Sequence, residues 1–199
     1  MMILVGCEES GVVRDALIAK GHQAVSCDLL PTSSDKDGEH IIGDLIEVIN
    51  SRHWDMIIAF PPCIYLCSSG LHWNKRRPGR QQKTDAAFDF VMQIANANCE
   101  KIAIENPIGC ISTRWRKPDQ IIQPYQFGED ASKRTCLWLK NIPLLKPTKY
   151  VEPRIVDGKK RWSNQTDSGQ NRLTPSPNRS QIRSKTYPGI AQAIAEQWT

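Results

Sequence analysis

The feature that most restricts the fold is a pattern repeated through the first 110 residues, in which short apolar runs alternate with segments of helical spacing. Met2–Cys7 (MILVGC) is a strand that opens into Glu8-Glu9-Ser10-Gly11, and Gly11–Lys20 carries a helical stripe of Val12, Val13, Ala16, Leu17 and Ala19. Gln23–Cys27 is a second strand closed by Asp28. His40–Ile42 is a third, closed by Gly43-Asp44, and a short helix follows over Leu45–Ser51. Trp54–Phe60 is a fourth, buried strand that stops at Pro61-Pro62. Thr84–Asn98 has the spacing of an amphipathic helix, and Lys101–Ile104 enters a fifth strand stopped by Glu105-Asn106-Pro107. Strands separated by helices imply parallel β-α-β units with right-handed crossovers, and hence an open, mostly parallel α/β sheet. Ligands of such sheets sit at the carboxyl ends of the strands, where this chain places Glu8, Glu9, Asp28, Asp44, Cys63 and Glu105.

The remainder is less periodic. Thr135–Leu139 is a sixth strand, and Thr186–Trp198 is a closing helix with Ile190, Ile194 and Trp198 on one face. Residues 1–199 read as one domain, with 140–185 an irregular basic excursion. No apolar run reaches the roughly 20 residues needed to span a bilayer. The N-terminus lacks a basic region ahead of its apolar stretch, so it reads as a strand and not as a signal peptide. Seven scattered cysteines, an odd number, point to a reducing, cytoplasmic compartment.

The net charge of +5 conceals a gradient. Residues 1–70 carry 4 basic and 10 acidic side chains, residues 71–139 carry 11 and 7, and residues 140–199 carry 11 and 4. An acidic front and a basic back suggest two ligands, the second a polyanion; an unevenly charged solvated surface is the alternative. The basic residues gather in Lys75-Arg76-Arg77-Pro78-Gly79-Arg80 and in Lys140–Lys185, which includes Lys159-Lys160-Arg161. Tyr150, Trp162 and Tyr187 lie in or beside the latter stretch. Lysines and arginines hold phosphates and aromatics stack on exposed bases, although solvated loops have the same composition.

Phe60-Pro61-Pro62-Cys63 presents a cysteine just past a buried strand, on a turn stiffened by two prolines. Such a thiol is a usable nucleophile if its thiolate is stabilised; a buried core cysteine is the other reading. A glutamate directly after an apolar strand, as in Ile104-Glu105-Asn106-Pro107, is costly to bury unless compensated or protonated. If strands four and five are neighbours, Cys63 and Glu105 share one edge. A nucleophile beside a carboxyl of raised pKa suits attack on a heterocycle whose ring nitrogen must gain a proton. Asp28 is placed to accept from ribose hydroxyls, or else serves, like Asp44, as a turn or helix cap. Neither GxGxxG nor GxxxxGK[ST] occurs, which argues against dinucleotides and P-loop nucleotides. Cys63, Cys67 and His72 would give half a zinc site with no second pair at a recognised spacing, so no metal is expected.

In order, Cys7–Gly11, Asp28, Gly43-Asp44, Pro61-Pro62-Cys63, Glu105-Asn106-Pro107, Lys133-Arg134 and Thr186–Ala195 resemble the motifs of DNA (cytosine-5) methyltransferases. The likeness is greatest to the small methyltransferase-like proteins of that family encoded by bacteriophages. It implies a Rossmann-like sheet of the S-adenosylmethionine-dependent methyltransferase type and methylation of cytosine C5 in DNA. It also implies Cys63 as the nucleophile, Glu105 as the proton donor and Arg134 on the base carbonyl, with Lys133 as the fallback. Cofactor contacts are expected from Glu8, Ser10, Gly11, Asp28, Asp44 and Pro61. Nucleic-acid contacts are expected from Lys75, Arg76, Arg77, Arg80, Lys133, Lys159, Lys160 and Arg161. The family's large target-recognition domain is missing, and only Lys140–Lys185 could take its place. Its absence keeps open the same fold acting on a free pyrimidine nucleotide or RNA, and the first loop, Cys7-Glu8-Glu9-Ser10-Gly11, which departs from the family's phenylalanine and glycines, keeps open a non-catalytic protein that holds nucleic acid or a partner.

Overall fold

Five residues, Met2–Gly6, form the interior strand β1, and the sheet extends from it in both directions. The computed structural model describes residues 1–199. After β1 come α1 (Val12–Ala19), β2 (Gln23–Asp28), β3 (His40–Ile42), α2 (Leu45–Ser51) and β4 (Met56–Ala59). Next are α3 (Ser68–Leu71), α4 (Arg80–Ala95), β5 (Lys101–Pro107), α5 (Ile111–Arg114), β6 (Gln120–Ile122) and β7 (Thr135–Lys140). The chain closes with a separate hairpin, β8 (Arg154–Val156) and β9 (Lys159–Arg161), then α6 (Arg179–Ser184) and α7 (Pro188–Gln197).

The seven-stranded sheet has the order β3-β2-β1-β4-β5-β7-β6. Strands β1 to β5 pair in parallel, whereas β7 runs antiparallel to both β5 and β6. This is the open, mostly parallel α/β sheet that the strand–helix alternation requires. Alternate side chains feed two cores. Ile3, Val5, Met56, Ile58 and Ala103 pack on α1 and α7 through Val13, Leu17, Ile190, Ile194 and Trp198. Leu4, Ile57, Ala59, Ile102 and Ile104 pack on α2 and α4 through Leu45, Val48, Val91 and Ile94. With both faces covered, the strands are apolar at every position rather than at alternate ones. Strand order reverses between β1 and β4, so the loops after these strands flank a topological switch point.

Besides the unexpected short elements β6 and α6, three details differ from the sequence reading. Strand β5 continues through Glu105, Asn106 and Pro107 because antiparallel β7 pairs with all three after parallel β4 has ended at Ala59. Helix α4 starts at Arg80, directly after Gly79 at φ 73°, so Arg80 belongs to the helix and not to the loop. The excursion contains a β-ribbon whose turn, Asp157-Gly158, has positive φ at both residues (48° and 71°); this is a hairpin signal set within an irregular polar stretch. The excursion is also docked. Trp162 stacks on Tyr125 at 4.3 Å, and the Asn164 amide bonds both the N–H and the C=O of Ser132. No helix is long and apolar enough to cross a membrane, and all seven cysteines are free.

Candidate active site

The turn after β4 is held from both sides. The Leu66 and Cys67 N–H groups donate to the Cys63 carbonyl (3.0 and 2.9 Å), closing a helical turn on the nucleophile candidate. From β5, the buried Asn106 Nδ2 donates to the Pro61 carbonyl at 2.7 Å. From the start of α4, Arg80 Nη2 donates to the Ile64 carbonyl at 3.0 Å, with its guanidinium over the Tyr65 ring. Cys63 itself is exposed at the sheet rim. Arg80, expected on nucleic acid, is thus engaged in shaping this loop. Asn106 sits inside the quoted Glu-Asn-Pro motif, but its anchoring function depends on a neighbour 45 residues away, which no local pattern reveals.

Strands β4 and β5 are adjacent, and the two motifs meet at one edge. Glu105 lies on the α7 side of the sheet in a narrow crevice with Phe60, Lys133, Thr135 and Tyr187. Burial pushes its carboxyl pKa up, opposed by the Lys133 ammonium and a hydrogen bond from the Thr135 hydroxyl. Both Glu105 and Lys133 act on Cys63, whose thiol pKa is raised by the neighbouring Cys67 sulfur, by partial loss of solvent around its own sulfur and by the Glu105 charge, and lowered by Lys133. Lys133 reaches this corner because β7 is antiparallel, which brings the start of β7 against the end of β5. The Lys133 Nζ also donates to the Arg183 carbonyl at 3.2 Å. Arg134, the first expectation for holding a base, is exposed and does not line the crevice of Glu105; Lys133, the fallback, is the residue brought to the cluster.

A second corner lies at the ends of β1, β2 and β3. Asp28 accepts from the Leu30 N–H at 3.0 Å through Oδ1. Asp44 caps α2, its Oδ1 accepting from Ile46 (2.7 Å) and Glu47 (3.4 Å). Neither carboxylate has a cationic partner, and each keeps its Oδ2 free. Cys7, in a left-handed conformation at φ 56°, has its pKa raised by burial and by these two carboxylates, so all three groups converge. Exposed Leu29 follows Asp28, and exposed Ile42 pairs with it across β2–β3. Two acceptors beside an apolar ledge make a corner that can take hydrogen bonds from hydroxyl or amine groups and cover an apolar ring.

Glu8, expected among the cofactor ligands, is instead turned inward. It is 4% exposed and accepts from the Val13 and Arg14 N–H groups (2.6 and 3.2 Å), so it caps α1 in place of Gly11, which has no side chain. Gly11 has φ 69°, and a Cβ there would lie 2.8 Å from Ser34 Cβ, so this position admits only glycine. Ser10 is half-buried and Pro61 buried. Among the basic residues, Lys75, Arg76, Arg77, Lys159 and Lys160 are exposed, with Arg77 lying over the Trp73 ring at 4.2 Å. Arg161 bonds the Asp167 carbonyl at 2.9 Å and secures the ribbon instead. Trp162, expected to stack on bases, is buried against Tyr125; Tyr150 remains exposed.

No family model matches the chain, and no curated protein matches it. Among solved structures it is similar to a protein described as a DNA modification methyltransferase encoded within an Escherichia coli prophage (12% identity, TM-score 0.49, 78% of this chain and 56% of that one). It is also similar to the methyltransferase EhMeth of Entamoeba histolytica (14% identity, TM-score 0.46, 75% and 57%). A third is Spodoptera frugiperda DNMT2 (14% identity, TM-score 0.41, 80% and 56%). These structures are methyltransferases, and this chain spans a little over half the length of each.

Proposed function

We propose that the protein is an S-adenosylmethionine-dependent methyltransferase that modifies cytosine C5 in DNA through a covalent bond from Cys63 to C6 of the base. The observation that carries this reading is the convergence of Cys63, Glu105 and Lys133 at the carboxyl edge of adjacent strands β4 and β5. Cytosine C5 is a weak nucleophile until sulfur adds at C6. Cys63 is the exposed thiol at the rim. Glu105, whose burial favours the protonated form, supplies a proton at N3 as the sulfur adds, so that C5 becomes enamine-like. The Lys133 ammonium holds the carbonyl oxygen of the base and limits the accumulation of charge around Glu105. Asn106 and Arg80 fix the turn so that the thiol is presented without a large ordering cost.

Asp28 and Asp44 would hold the cofactor's ribose hydroxyls and adenine amine, and the acidic corner suits its cationic sulfonium. S-adenosylmethionine, when bound, supplies an electrophilic methyl group. After methyl transfer the C5 proton passes to water, the electrons of that bond expel Cys63 as a thiolate, and N3 returns its proton to Glu105, which restores the aromatic base. Exposed Arg76, Arg77, Lys159 and Lys160 offer phosphate contacts, and the free cysteines suit a reducing cytoplasm.

The deciding experiment uses DNA carrying 5-fluorocytosine together with labelled S-adenosylmethionine. Fluorine cannot leave as a cation, so elimination is blocked and a covalent adduct that survives denaturation is expected. Cys63→Ala should lose both the adduct and methylation while keeping its fold, because the side chain is exposed. Methyl transfer that persists in Cys63→Ala sinks the covalent mechanism and points to an exocyclic nitrogen. Absence of transfer to any DNA, with transfer to RNA or a free nucleotide, reassigns the substrate.

A further inference from the structure

A two-stranded hairpin is marginal in water by itself, yet the β8–β9 ribbon stands apart from the main sheet. Its register, Arg154↔Arg161 and Ile155↔Lys160, sorts the side chains onto two faces, because cross-strand partners share a face and neighbours along a strand alternate. One face is fastened. Arg154 pairs with the Asp167 carboxylate and donates to the Gln165 carbonyl at 2.7 Å, and Arg161 donates to the Asp167 carbonyl at 2.9 Å. The other face is bare. Ile155 is 62% exposed and stands beside exposed Lys160, with exposed Lys159 at the turn. Neither ammonium has an ion-pair partner.

The ribbon is also tied to the reactive corner. Trp162 follows β9 directly, stacks on Tyr125 and donates its indole N–H to the Val151 carbonyl at 3.2 Å. The Ser163 N–H donates to the Asp130 carboxylate at 2.9 Å, and Asn164 holds Ser132, the residue before Lys133. Arginine and lysine divide the work in this stretch. The guanidinium groups of Arg154, Arg161 and Arg172 are turned onto carbonyl oxygens within the excursion. The charge left for solvent on the ribbon is that of two lysines, and it surrounds an isoleucine.

An uncovered isoleucine held rigidly between two free cations suits a partner that is apolar at one point and anionic around it. The major groove of duplex DNA is such a partner: it admits a two-stranded ribbon, phosphates line its walls, and the 5-methyl group of thymine is exposed on its floor. We propose that the β8–β9 ribbon enters the major groove, with Ile155 against a thymine methyl group and Lys159 and Lys160 on the flanking phosphates. The lysines position the ribbon and carry no sequence information. Ile155 supplies it, since an isoleucine neither donates nor accepts a hydrogen bond. A base whose amine or carbonyl faced it would lose water with nothing in return, whereas thymine buries its methyl group. The inference rests on the reading of DNA as the substrate and adds that the substrate is a duplex with a preferred thymine near the modified base.

The test uses the whole protein and reads binding, without methyl transfer. Duplexes are selected from a pool randomised around a central cytosine, and the thymines of the selected duplex are replaced one at a time by uracil, which removes only the 5-methyl group. Affinity is followed by fluorescence anisotropy at one fixed salt concentration, because phosphate contacts make it salt-dependent. In the native protein one such replacement should weaken binding about fourfold, the worth of burying a methyl group. In Ile155→Ala, whose side chain is too short to reach, the same replacement should change affinity less than about twofold while the salt slope stays native. Ile155→Ser should behave alike and serves if the alanine variant does not fold. The proposal is overturned if the native protein selects no sequence, if no uracil replacement costs affinity, or if the cost persists in both variants. Preference for an RNA duplex overturns it too, since the major groove of RNA is too deep and narrow for a ribbon. A thymine preference that depends on Ile155, without methyl transfer, would count against the methyltransferase reading alone. Methyl transfer to DNA with no such preference would count against this proposal alone.

Discussion

The two corners of the sheet edge handle charge in opposite ways. At the ends of β2 and β3, Asp28 and Asp44 are met only by backbone N–H groups and keep a free oxygen each, with no cation near enough to pair. At the ends of β4 and β5, Glu105 is enclosed and answered by Lys133 and Thr135. An open carboxylate with an unengaged oxygen serves as a standing acceptor. An enclosed one must either be compensated or take up a proton, so it suits proton transfer. On the proposed reading one corner binds and the other reacts, and the β1/β4 switch point lies between them.

The sharpest way to break this division is Glu105→Gln. It should leave cofactor binding intact and cost about 100- to 10,000-fold in turnover, the usual worth of general acid help. A variant with near-native turnover would remove the reactive corner's defining residue. Glu8 separates architecture from binding on the acidic side. Its carboxyl is pushed up to about 7 by burial, from an ordinary 4.5. Between those values the folded state binds the extra proton, so stability falls as pH rises through that window, by about 3 kcal/mol. Urea melts of Glu8→Gln should lack that slope, whereas an unchanged slope would place the titration elsewhere.

A smaller effect belongs to Asp28→Asn. It should weaken binding of S-adenosylhomocysteine in a calorimetric titration by about 10- to 100-fold, the scale of a hydrogen bond to a charged group. Cys63 alkylation should not change; coupled losses at both corners would mean that they are not independent. Last comes the pair of lysines on the ribbon. Replacing Lys159 and Lys160 by alanine should lower DNA affinity a few-fold and reduce the slope of log affinity against log salt by about 2. An unaltered slope would make the ribbon a solvated element. Arg161→Ala, by contrast, should act on stability, because its guanidinium holds the Asp167 carbonyl.

The strands and helices of the first half were legible because both faces of the sheet are covered. A doubly buried strand is apolar at every position, and the helices between strands have the 3.6-residue stripe. The short three-residue strand β6, the ribbon and α6 were not legible, since each is held by distant partners more than by its own pattern. The site divides along the same line. Cys63 and Glu105 stood out because prolines and a charge interrupt apolar runs. Glu8 misled for the same reason: an acid after a strand looks the same whether it faces a ligand or caps the next helix.

Sequence alone determined the α/β class, the positions of the loops at the sheet edge and the two motifs that supply a thiol and an acid, because these depend on periodicity and on local chain stiffness. Tertiary structure decided which groups meet. The antiparallel course of β7 delivers Lys133 rather than Arg134 to Glu105, and Asn106 of β5 ties down the turn that presents Cys63 through the Pro61 carbonyl. Both depend on strand direction and on contacts between residues tens of positions apart, and no local pattern in the chain encodes either.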